Sequence, residues 1–154
     1  MQKKIFSFFL FLFLSSCGYE AIYSKKNSID YNFFIDELSF TGDRGVNLKI
    51  KERLGNYMIN KKDKSFALKI SSISTKIIAA KNVSGDATSF KNTIATKIEV
   101  SINGNFKNSF VIIESFNYNN NSNRFGLKRY EKEIKNNLAE TIAKKLILRL
   151  SNIQ

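Results

Sequence analysis

Apolar positions along the chain change their spacing from solid to two-fold to near four-fold, and each change marks an element. Ile5 to Leu14 is apolar throughout except for Ser7. Tyr31 to Phe40 is rich in aromatic and branched residues, with Phe33 and Ile35 on one face and Phe34 and Leu38 on the other, which predicts a strand apolar on both sides and central in a sheet. Thr41-Gly42-Asp43 breaks it, and Asp43 can cap a helix whose stripe is Val46, Ile50, Leu54, Tyr57 and Met58. Gly45 and Gly55 weaken that helix, and Asn60 to Lys64 reads as a charged turn. Phe66, Leu68 and Ile70 alternate as a second strand, after which the apolar phase slips to Ile73, Thr75 and Ile77, the mark of a bulge or a long bent strand. Residues 81–92 read as a polar loop around Gly85.

The third strand has the cleanest alternation, with Ile94, Thr96, Ile98, Val100 and Ile102 facing one way and Lys97, Glu99, Ser101 and Asn103 the other. Asn103-Gly104 and Lys107-Asn108 supply hairpin-turn chemistry. A fourth strand places Phe110, Ile112, Phe116 and Tyr118 in register, with Val111 and Ile113 opposite. Asn117 to Asn123 reads as a loop, and a long helix follows from about Phe125 to Leu150, striped by Ile134, Leu138, Ile142, Leu146 and Leu150. Glu131 with Lys135 and Glu140 with Lys144 are i,i+4 pairs in the favourable orientation. The order is strand, helix, three strands, helix. It predicts an α+β two-layer sandwich in βαβββα order, a mostly antiparallel sheet with two amphipathic helices.

The front of the chain concerns location. Lys3 and Lys4, the apolar run and the small-residue exit Leu14-Ser15-Ser16-Cys17 are the marks of a secretory signal peptide. Ten helical residues reach only ~15 Å, half of the ~30 Å hydrocarbon layer, so the run is too short for a permanent span. Leu14 to Cys17 resembles the lipobox of bacterial lipoprotein precursors, which implies cleavage before Cys17 and lipid on its sulfur. Each buried CH₂ is worth ~0.8 kcal/mol, so several acyl chains such as palmitate hold firmly where one does not. An ordinary signal peptide with an incidental cysteine is the competing reading. Gly18, where inner-membrane retention would favour Asp, points by the same resemblance to the outer membrane. The division expected is residues 1–16 as signal peptide, 17–29 as lipidated tether and 30–154 as a single α+β domain.

Composition removes several chemistries. The chain has no His, Trp or Pro and a single Cys. It therefore has no Ser-His or Cys-His nucleophile pair, no thiolate or imidazole metal site and no internal disulfide. The 13 acidic residues form no converging pair in the sequence. No catalytic residue, cofactor or metal is expected. The net charge is +12, falling to +10 without Lys3 and Lys4, and a basic surface attracts phosphates. For an exported lipoprotein the anion is a phosphorylated envelope glycolipid rather than nucleic acid. Lys76, Lys81 and Lys91 bracket the loop before the third strand, and Arg124, Lys128 and Arg129 cluster where the Asn-rich loop meets the last helix. These six are candidate phosphate contacts, and plain solvated surface charge is the simpler reading of each of them.

The lipobox, the element order and the length together resemble the LptE-type lipopolysaccharide-assembly lipoproteins, particularly their alphaproteobacterial branch. Cys17-Gly18-Tyr19-Glu20-Ala21-Ile22-Tyr23 is similar to that branch's opening, with Ala21-Ile22 in place of its Pro-Leu. Phe116-Asn117-Tyr118-Asn119 resembles its Ser-Tyr-Asn segment, and Leu138-Ala139-Glu140-Thr141-Ile142-Ala143 its terminal Leu-Ala-x-x-Ile helix. The resemblance implies a non-catalytic lipoprotein, anchored in the outer membrane on the periplasmic side. It would assist assembly of a large β-barrel, plug its lumen and bind lipopolysaccharide bound for the cell surface. Tyr118 and Tyr130 would then meet the barrel wall, unless they belong to the core. Two rivals share the anchor: an auxiliary lipoprotein of another envelope lipid-transport system, and a small envelope hydrolase using Ser and Lys or carboxylates.

Overall fold

A computed structural model describes residues 32–153, so the expected signal peptide (1–16), Cys17 and the expected tether (17–29) lie outside the described residues. The sheet has the strand order β1-β2-β3-β4, formed by β1 (Phe34–Gly42), β2 (Ser65–Lys81), β3 (Ala87–Ile102) and β4 (Asn105–Asn119). Helix α1 (Arg44–Leu54), continued by a 3-10 turn at Gly55–Met58, lies between β1 and β2, and α2 (Arg124–Ser151) follows β4. The α+β sandwich in βαβββα order is what forms. β2, β3 and β4 are an antiparallel meander joined by tight turns, whereas β1 runs parallel to β2 because a helical crossover separates them.

β1 is an edge strand, not the central one that its apolar content predicts. The reason is a bulge. Ile35 pairs with Phe66 and Glu37 with Ala67, leaving Asp36 as the extra residue. One inserted residue reverses which parity faces the core. Phe33 and Ile35 before the bulge and Leu38 and Phe40 after it therefore all pack on the core.

The second strand departs from expectation in the opposite sense. Its pleat does not slip after Ile70: Phe66, Leu68, Ile70 and then Ser72 continue on the buried face, and Ile73 and Ile77 stand exposed on the other. The register irregularities come later, between Ile78 and Lys81. Ser72 and Thr96, both fully buried, satisfy one another by a hydroxyl hydrogen bond of 3.2 Å.

Asp43 caps α1 as expected, its carboxylate accepting from the Val46 amide at 3.1 Å. Gly42 makes the turn into that cap. Its φ is +86°, and a Cβ there would sit 2.1 Å from the Ser72 carbonyl oxygen. Val46, Ile50 and Leu54 are buried, as are all five residues of the expected stripe on α2. Both helices cover one face of the sheet, and charged pairs join them: Arg53 to Glu140 and Lys135 to Asp43, each at 2.5 Å.

Turns are tighter than the sequence suggests. The predicted loop at residues 81–92 shrinks to 82–86, because its polar residues alternate well enough to extend β3 back to Ala87. Asn82 closes the turn by accepting from the Ser84 and Asp86 amides at 3.0 and 2.8 Å. Asn103 (φ 51°) and Gly104 (φ 76°) form a two-residue hairpin turn with both residues left-handed, the type I′ pattern. Lys107-Asn108 makes no turn; it lies within β4 at a bulge opposite Val100 and Ser101. β4 likewise runs on to Asn119, so the final loop is residues 120–123.

Candidate functional site

Beyond Ser72 the sheet loses β1, and the three remaining strands extend toward the 82–86 hairpin with α2's first turns alongside. The core face changes character there. Along β2 it passes from Phe66, Leu68 and Ile70 to Ser72, Ser74 and Lys76, while β3 contributes Asn92 and Phe90 and β4 contributes Phe116 and Tyr118. Lys76 reaches Glu131 on α2 at 2.5 Å and lies 4.0 Å from the Phe90 ring centroid. The Tyr118 hydroxyl donates to the same Glu131 oxygen at 2.9 Å. Burial first, and this bond to Glu131 second, push the Tyr118 hydroxyl's pKa well above its ordinary value. Tyr118 also meets Phe90 (5.7 Å) and, edge to face, Tyr130 (6.1 Å).

Outside this network lies an open groove of about 450 Å³, bounded by the end of β4, the asparagine loop and the start of α2. Phe116, Tyr118 and Tyr130 supply its rings, and Asn117, Asn119 and Asn121 line it along the edge of β4 and the loop. The loop is built by its own side chains. Asn120 donates to the Ala87 carbonyl at 2.8 Å and accepts from the Asn121 amide, Asn121 accepts from the Asn123 amide, and Asn123 caps α2 through the Gly126 amide at 3.0 Å. The asparagine run is thus a folded connector, and Asn123 at the end of a polar run is the signal that marks the cap.

The six candidate phosphate contacts are distributed over this end. Lys76 is engaged by Glu131 on the helix side. Lys91 lies on the opposite face of the sheet, opposite Ile77 and Asn117, and Lys81 ends β2. The fold does not bring these three together. Arg124, Lys128 and Arg129 stand exposed on the first two turns of α2, where Arg129 lies 4.0 Å from Glu133. Arg124 and Lys128 share one side of the helix, four residues apart. Cys17 lies outside the described residues. Tyr118 is buried and Tyr130 is half exposed.

The sheet face away from the helices is a second surface, which the sequence did not mark. Ile73, Ala95 and Ile113 are direct neighbours across β2, β3 and β4. Ile73 and Ile113 are each 62% exposed, with Ile77 (57%) and Val111 (50%) beside them. Toward β1 the face becomes polar, where Ser39, Thr41, Lys69, Ser71, Lys97 and Glu99 line a shallow depression and Lys97 pairs with Glu99 at 2.7 Å. Among the described residues no His, Cys, Asp or Glu cluster could hold a metal, and no helix is long and apolar enough to cross a membrane.

Several solved structures named as lipoproteins share this arrangement. Rare lipoprotein B from Shewanella oneidensis superposes with a TM-score of 0.63 at 12% identity, covering 79% of this chain and 95% of its own. A minor lipoprotein from Acinetobacter baumannii gives 0.61 at 9% identity over 79% and 92% of the two chains. Lipoprotein B from Nitrosomonas europaea gives 0.56 at 11% over 79% and 83%. The likeness is one of fold. No protein-family model and no curated protein sequence matches the chain.

Proposed function

We propose that the chain is a non-catalytic, lipid-anchored envelope lipoprotein of lipopolysaccharide assembly. Acylated Cys17 holds it to the outer membrane, and the domain seats inside a β-barrel partner, supports its assembly and engages lipopolysaccharide on its way outward. The shared fold with rare lipoprotein B supports the general assignment. The observation that carries the partner is the uncovered sheet face. Four exposed branched residues centred on the Ile73-Ala95-Ile113 row form an apolar patch of the kind that marks a protein contact. Polar and charged residues around that patch suit the hydrophilic lumen of an outer-membrane barrel. Arg124 and Lys128 supply cations for the glycolipid's phosphates.

Capture of the tagged protein from detergent-solubilised outer membranes tests this. The expected companion is a large outer-membrane β-barrel, together with lipopolysaccharide. Recovery of transporter subunits without a barrel would assign the chain to another envelope lipid-transport system. In parallel, Cys17→Ala is expected to abolish incorporation of labelled palmitate and to release the protein from membranes. Label retained in that variant would remove the anchor.

A further inference from the structure

We propose that the groove at the outer edge of β4 is a saccharide subsite, taking one or two uncharged sugar rings. The proposal rests on the glycolipid reading above for the source of the glycan, and it separates two tasks: cations on α2 meet phosphates, while the groove meets the sugar.

Three observations carry it. Phe116 and Tyr130, from different elements, leave 46% and 44% of their surfaces open to solvent at the same cavity. Such ring faces suit the C–H faces of a pyranose, which are apolar while its rim is rich in hydroxyls. The floor is fixed in advance: the ring of Tyr118 is wedged between Phe90 and Tyr130 and tied by its hydroxyl to Glu131. Second, the hydrogen-bonding groups along the groove are neutral. The Asn120 amide donates to the Thr88 carbonyl at 2.8 Å, so even-numbered residues at this end of β4 bond to β3. By the alternation of an antiparallel ladder, the backbone N–H and C=O of Asn117 and Asn119 point outward along the free edge. They offer paired donors and acceptors of the kind that adjacent sugar hydroxyls require.

Third, no charged residue lines the cavity, so a phosphate or carboxylate inside it would go uncompensated. Its volume of about 450 Å³ lies within the ~300–1,000 Å³ of small-ligand sites. The free edge of β4 runs on beyond the groove, where a peptide strand can also pair, so a strand-forming peptide is the competitor to set against the sugar.

The test uses the full-length protein in micelles of a detergent without a sugar headgroup. The probe is lipopolysaccharide core oligosaccharide, deacylated and dephosphorylated, observed by saturation-transfer NMR. Transfer to sugar ring protons is expected with a Kd on the order of 1 mM, unchanged between about 0.05 and 0.5 M salt. Phe116→Ala and Tyr130→Ala should each weaken binding about fivefold, Phe116→Ala without moving the melting temperature and Tyr130→Ala with a drop of a few degrees because its ring packs on Tyr118. No transfer, or affinities equal to the parent in both variants, overturns the subsite. So does displacement of the probe by an acetylated Thr-Val-Thr-Val peptide that binds more tightly. Capture of intact lipopolysaccharide, measured alongside, separates the two readings. Binding of intact glycolipid without the stripped oligosaccharide sinks the groove and leaves the glycolipid role. Binding of the oligosaccharide without capture of intact lipopolysaccharide keeps the groove and removes that role.

Discussion

Asp43 shows how much one side chain can carry. It caps α1 through the Val46 amide and pairs with Lys135 of α2, so one carboxylate starts one helix and ties it to the other. Burial alone would raise its pKa. The hydrogen bond from Lys135, the Val46 amide, the charge of Lys135 and the Gly45 amide together outweigh burial and hold the carboxyl below its ordinary 3.8. Glu140 is held low in the same sense, by the hydrogen bond from Arg53 first and by Lys144 in addition, against opposing burial. A carboxyl whose folded pKa is depressed stabilises the fold at every pH above its unfolded value. That stability is lost as pH falls through about 4 toward the folded value. Urea titrations from pH 6 down to pH 2 should therefore show stability decreasing with acid. Asp43→Asn keeps a capping oxygen and removes the charge, so its stability should fall less steeply than the parent's over that window. Asp43→Ala should lose about 1 kcal/mol more at pH 6, the typical worth of a cap. An Asp43→Asn acid profile parallel to the parent's would show that the pair with Lys135 contributes nothing.

At the scale of elements, α2 is the longest surface in the core, and its central turn is the most fully enclosed. Ala139, Ile142, Ala143 and Leu146 are all 0% exposed. Ile142→Ala leaves a cavity that two packed layers cannot collapse around, and should cost about 2–5 kcal/mol. The check is a lower denaturation midpoint with unchanged slope, since a changed slope would mean altered unfolding rather than lost packing. That stripe was legible because a one-sided helix repeats its apolar positions unambiguously, as β3 does with Ile94 to Ile102. β1 was not legible. A single bulged residue makes a one-sided strand read as two-sided, and the bulge is set by pairing with β2, not by β1's own residues. β2 misled for a different reason: its buried half ends in Ser72, whose hydroxyl is satisfied by Thr96 on another strand, so the true core position is polar and the exposed Ile73 is apolar. The site was legible only in part. Arg124 and Lys128 stand out as a basic pair at a helix start. The groove draws on Phe116 and Tyr130 across a loop, and Lys76 meets Glu131 across 55 residues, so neither pattern can be read from spacing alone. The expected pair between Glu131 and Lys135 dissolves into tertiary ones, because Glu131 serves Lys76 and Tyr118 while Lys135 serves Asp43, whereas the expected pair of Glu140 with Lys144 forms at 3.1 Å.

For the molecule as a whole, the decisive asymmetry is between its two sheet faces. Two helices cover one, and the other carries its isoleucines into solvent. Burying one branched side chain is worth about 1.5–3 kcal/mol, so leaving Ile73, Ile77, Val111 and Ile113 exposed forgoes stabilisation that a partner can recover. None of the four contributes to the core, which makes the face separable from the fold. Ile73→Lys together with Ile113→Lys places two like charges flanking Ala95 in one cross-strand row. The domain should keep its melting temperature to within a few degrees, because surface substitutions away from the core usually change stability by less than about 0.5 kcal/mol. Capture of the barrel should fall by about tenfold or more, since two buried, unpaired ammonium groups would have to lose their water at the contact. Undiminished capture would place the partner on another surface, and loss of folding would mean that the face belongs to the core. A third comparison fixes the role of the opposite end. Under the proposed function, Arg124→Glu with Lys128→Glu should leave barrel capture intact and reduce co-purified lipopolysaccharide, because the proposed partner and glycolipid contacts lie on different faces of the sandwich.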